Sequence, residues 1–156
     1  MNFKHYLEEG RDAPLYHGTS RGKADLIIKD NILRDYTHQM IGGKRIYGVS
    51  LTRNFDFASV FRSTMAVFEL DQRKLAQRYK IQPYDWYFRD GSPSEKRRTT
   101  KIEYEEFLAG TIMNLNKYIT KIHIYENESE TDNQDMSELL NHPLLWDHQH
   151  KKWVNK

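Results

Sequence analysis

The chain has 156 residues, with 24 Lys and Arg against 22 Asp and Glu, for a formal net charge of +2. That length suits one domain with a single core, and so balanced a total gives no argument by itself for a nucleic-acid partner. With no cysteine, disulfides and thiolate metal sites are excluded.

No stretch reaches the roughly 18 apolar residues of a membrane span. The start, MNFKHYLEEG, lacks a secretory apolar core. The expectation is therefore one domain over residues 1–156, in a reducing cytoplasm, with no membrane partner. Residues 2–9 read as a short helix with Phe3, Tyr6 and Leu7 on one face, ended by Gly10. Leu15 to His17 is a short strand. Residues 22–33 place Ala24, Ile27, Ile28 and Ile32 at helical spacing. Residues 34–46 carry two adjacent glycines among polar groups and read as a loop.

Tyr47 to Thr52 is a second strand, and Asn54 would cap a helix carrying Phe57, Ala58 and Phe61. Met65 to Leu70 is a strand, and Asp71 caps the helix after it. Lys80 to Gln82 is a brief strand. Residues 84–101 form a long polar connection, of the kind that is functional or disordered. Its basic run EKRRTTK, Glu95 to Lys101, reads as a solvated loop. Its place just before the next strand also suits target recognition. Glu103 to Ala109 and Lys121 to Tyr125 are strands, with a helical turn at Asn114 to Tyr118 between them. Residues 126–138, ENESETDNQDMSE, hold six acids and no base and are expected to be mobile. A short helix and an aromatic end, read as core rather than as a base-stacking platform, close the chain. Helices gather early and strands late, which favours α+β.

Three segments carry the chemistry: LYHGTS at 15–20, GVSLTRN at 48–54 and EYEEFLAGTI at 103–112. In this order they resemble the ADP-ribosyltransferase superfamily, nearest to its DNA-targeting toxins. The resemblance spans roughly residues 14–125. It implies a split β-sandwich of two small sheets flanked by short helices, with NAD bound between the sheets as co-substrate. It puts His17, Gly18 and Thr19 at the first motif and Ser50 and Thr52 at the second. It makes Glu106 the expected catalytic carboxylate, with Glu105 as the rival register.

The chemistry explains these residue types. Cleaving the nicotinamide bond creates an oxocarbenium-like ribose. A carboxylate beside it stabilises the transition state more than the ground state. The resemblance implies that the backbone at Gly18 satisfies the nicotinamide carboxamide, and glycine lets the ring approach. It also implies that His17 bonds the adenosine ribose, Thr19 supports the strand end and Ser50 helps hold the nicotinamide. Tyr47, Phe57 or Phe61 would stack on the ring, and Arg53 would pair with a phosphate. Glu105 and Glu106 alternate across a strand, so one faces inward, where a carboxylate needs a partner. His142, His148 and His150 lack a metal-site spacing, and no metal is expected. The expected acceptor is a macromolecule, protein or nucleic acid. The rival readings are an NAD-dependent RNA 2′-phosphotransferase and a non-catalytic inhibitor or binding module, such as a phage uses in a host cytoplasm. No heptad or self-evident interface sets an oligomeric state.

Overall fold

The computed structural model describes residues 13–60, 66–83, 105–125 and 135–156. The helix expected over 2–9, the connection 84–101 with its basic run, and residues 126–134 lie outside the described residues. Over the rest the chain is α+β, with one large sheet, one two-stranded sheet and a few short helices.

Strand β1 (Leu15–Thr19) leads into helix α1 (Arg21–Asp30). The Ser20 hydroxyl caps that helix, accepting from the Lys23 N–H at 3.3 Å. The helix ends three residues earlier than its apolar spacing predicts, because Asn31 turns left-handed at φ 57°. Ile32 and Leu33 then leave the helix as β2 and pair with β8 (Ile112–Met113).

The loop expected over 34–46 is instead a hairpin. β3 (Thr37–Ile41) and β4 (Lys44–Thr52) pair from Thr37↔Gly48 to Ile41↔Lys44. Gly42 and Gly43 make its turn with φ of 57° and 77°, the positive values that a two-residue hairpin turn needs. Helix α2 (Phe55–Val60) follows, then β5 (Ala66–Leu70) and α3 (Gln72–Ala76). Asp71 caps α3 as predicted, accepting from the Lys74 N–H at 3.1 Å. β6 (Ile81–Pro83), β7 (Glu105–Ala109), a 3-10 turn at Leu115–Lys117 and β9 (Ile119–Ile124) continue the chain. Within the acidic stretch, Met136 is buried and α4 (Ser137–Leu140) begins. The aromatic end forms β10 (Leu145–Asp147) and β11 (Lys152–Trp153).

The large sheet runs β11-β10-β9-β5-β1-β4-β7-β6, with β3 also on β4. The main hydrophobic cluster lies on one face. Leu15, Val49, Leu51, Phe68, Leu70, Leu108, Ile122 and Leu145 pack there with Ala24, Leu33, Leu75, Leu115 and Leu139. Each of these Val, Leu, Ile and Phe side chains contributes about 1.5–3 kcal/mol on burial. Buried Asp25 ties α1 to α4 by accepting from the Leu139 N–H at 2.8 Å.

The sheet is not uniformly laddered. β1 matches β5 at five residue pairs, and β4 matches β7 at five. β1 and β4 meet at one pair, Tyr16↔Thr52. This seam divides the sheet into a half built on β1, β5, β9, β10 and β11 and a half built on β3, β4, β7 and β6.

Candidate functional site

The three sequence segments fall on strands that are neighbours in space. β4 lies between β1 and β7. Gly48 pairs with both Thr37 of β3 and Ala109 of β7, so β3 and β7 flank opposite edges of β4. The β1 edge of β4 is therefore laddered by β3 up to Gly48 and touched by β1 at Thr52. Ser50 lies in the gap. There the His17 Nδ1–H donates to the Ser50 carbonyl at 3.1 Å, filling in for a missing strand.

That bond fixes the ring chemistry. Burial lowers the His17 pKa, and the Ser50 carbonyl opposes the shift only in part. The ring is neutral at pH 7, with its proton on Nδ1. Nε2 then keeps a lone pair and can accept from a hydroxyl.

Strand alternation decides what shares a face with His17. Tyr16 pairs with Thr52, so His17 falls on the side of Leu51. Leu51 pairs with Glu106. His17 and Glu106 therefore belong to the core face, whereas the Ser50 and Thr52 side chains belong to the other. Ser50 thus meets His17 through its carbonyl. Buried Thr52 accepts from the Asn54 N–H through Oγ1 at 3.0 Å, supporting the turn into α2.

Glu106 is 3% exposed. Arg53 Nε donates to its Oε1 at 2.8 Å, and a second guanidinium nitrogen reaches the same oxygen. The guanidinium that the sequence offers to a phosphate is thus found on a carboxylate. Burial raises the Glu106 pKa, with Arg53 pulling the other way. Glu105 pairs with Thr52 through its backbone.

The remaining expected residues divide. Gly18 and Thr19 lie on β1 opposite Val67 and Ala66. Tyr47 is 50% exposed beside His38 on the hairpin, ring centroids 5.6 Å apart. It stands four residues from Leu51, about 13 Å along the strand, too far to stack on a ring held at Glu106. Phe61 lies outside the described residues. Gly48 is needed for close packing, because a Cβ there would sit 2.1 Å from the Leu108 carbonyl oxygen. A hollow of about 610 Å³ is lined by Lys74, Arg78, Lys117 and Tyr118 among others, and none of the expected site residues lines it.

A second cluster occupies the opposite face and was not expected. The Tyr16 hydroxyl donates to Glu69 at 3.3 Å. Buried His123 approaches Glu69 at 3.9 Å and meets His148, Nδ1 to Nδ1, at 3.2 Å. Phe55 stacks on His148 with centroids 4.6 Å apart. The sequence signal was a histidine inside an alternating strand, ITKIHI. Its partners lie on β1, β5 and the turn after β10. His142 and His150 go elsewhere, to the Leu144 N–H and to Asp147.

Comparison with family models, with characterised proteins and with solved structures finds no match to this chain.

Proposed function

We propose that the chain is an NAD-dependent ADP-ribosyltransferase acting on a macromolecule, on a split β-sandwich whose NAD site is the β1–β4–β7 seam. One observation supports this best. His17, Ser50 and Glu106 lie on three adjacent strands, with the His17 ring in the break of the ladder.

The site residues suit the reaction. Neutral His17 offers Nε2 to a ribose hydroxyl. The Gly18 backbone offers the carboxamide a donor and an acceptor, with Thr19 supporting the strand end. Arg53 holds Oε1 of Glu106 and so orients the carboxylate. The second oxygen is then the one to receive a ribose hydroxyl and face the cationic sugar. Because burial raises the Glu106 pKa, transfer should fail as pH falls through that value and the charge is lost.

The test is incubation with NAD labelled in the adenosine half. Nicotinamide release and mass spectrometry of candidate acceptors are followed. Glu106→Gln should lose about 10²- to 10³-fold in rate while still binding NAD, and Glu105→Gln should stay active. The reverse pattern moves the catalytic role to Glu105. No nicotinamide release from the unmodified chain leaves a binding module, and loss of phosphate from a 2′-phosphorylated RNA makes it a phosphotransferase.

A further inference from the structure

The C-terminal hairpin carries a surface that the seam does not use. Trp146 pairs with His123 on one side and Trp153 on the other. The His123↔Val67 pairing carries this row to Gly18 on β1, so the indoles lie on the face opposite Glu106. Neither Trp belongs to the core cluster, and both are half-buried.

The two rings meet edge to face with centroids 5.1 Å apart. The Lys121 ammonium sits 4.0 Å from the Trp146 ring centroid, and that of Lys156 sits 4.3 Å from the Trp153 centroid. Lys151 reaches His148 at 3.0 Å. Residues 148–156 hold three lysines and one tryptophan, Lys151, Lys152, Trp153 and Lys156, and no acid. A surface lysine over an indole face is a weak, mobile contact that a stacking base can displace.

We propose that this surface binds single-stranded nucleic acid, with bases stacked on Trp146 and Trp153 and phosphates on Lys121, Lys151 and Lys156. Indoles interleaved with flexible cations are the pairing a single strand needs, since every base has a stacking face and every linkage a charge. Lys121, Lys151 and Lys156 supply cations to that strand, and the two nearby carboxylates have partners of their own, Asp147 on His150 and Glu69 beside Tyr16 and His123. A second copy of this chain fits less well, because Lys152 on β11, with Lys151 before it, discourages strand addition at a sheet edge. The binding stands apart from the transferase reading.

The experiment is fluorescence anisotropy of a labelled 15-mer oligothymidylate with the full chain and no NAD. Binding should quench tryptophan emission. With three phosphate contacts, log affinity should fall with log salt at a slope of about −2. Trp146→Ala or Trp153→Ala should each weaken binding about 5- to 150-fold. Lys121→Gln with Lys156→Gln, which leaves the indole packing in place, should flatten the salt slope by about 1.4. No anisotropy change up to about 100 μM chain at low salt overturns the proposal. So does equal affinity for poly-glutamate, which would make an acidic protein surface the partner. Sedimentation showing that this face is closed in a dimer also overturns it. Because NAD is absent, failure here leaves the transferase test intact, and failure of transfer leaves this one intact.

Discussion

Glu106 and Glu69 stand on opposite faces of the same sheet, each with a basic side chain beside it. Glu106 is 3% exposed and held by Arg53 on the core face. Glu69, with 18% of its side chain exposed, shares the outer face with His123, Tyr16 and Thr120. Their titrations move in opposite directions. His123, aided by Thr120 and Lys121, holds Glu69 below the usual carboxylate range, whereas burial pushes Glu106 above it. A partner outweighs desolvation when some water remains, and desolvation outweighs a partner when the carboxylate is enclosed.

The two groups therefore bend stability oppositely with pH. The folded pKa of Glu69 lies below its ordinary 4.5. Its stabilisation is present above 4.5 and is lost as pH falls through the folded value. The folded pKa of Glu106 lies above 4.5, so its contribution is present below 4.5 and is lost as pH rises through the folded value.

The hardest blow to this contrast is Arg53→Ala. It strands a buried charge, and unfolding by urea should show a loss of about 3–5 kcal/mol, with partial recovery at acid pH where Glu106 takes a proton. A loss within the surface-mutation range of about 0.5 kcal/mol would mean that the carboxylate is solvated. Smaller is the effect of Glu106→Gln on stability. It should remove the decline above pH 4.5, leaving a flatter curve than the unmodified chain. Smaller again is His17→Gln. His17 is lowered from 6.5, so the unmodified chain loses stability as pH drops below 6.5 towards the folded value, and the variant should not. The slightest change belongs to Glu69→Gln, at about 1 kcal/mol or less near neutrality. Its acid-side dependence should shrink, whereas Glu106→Gln leaves that side unchanged. If both variants alter the same pH window, the two faces are not distinct.

Much of the strand set was legible because its residues declare it. AVFEL and EEFLA carry runs of buried apolar residues, LYHGT carries one in Leu15, and Asp71 announced its helix by the cap it provides. β3 was not legible, because Thr37, His38 and Met40 are exposed and leave no apolar alternation to read. Its clue was the Gly42-Gly43 turn. The end of the chain misled for a related reason. Trp146 and Trp153 looked like core residues, yet their strand parity sends them to the outer face.

The residue types of the candidate site, and their order, were fixed by the chain alone: a histidine before glycine, a Ser-x-Thr strand, and paired glutamates before an apolar pair. Which of them share a face was decided only by register across the seam. Arg53 and Glu106 are 53 positions apart in sequence and meet through the β4–β7 pairing. A strand side chain's direction follows from local alternation, but its partner and its burial depend on which strand lies alongside and what covers the sheet, and those are long-range choices that the packed core makes.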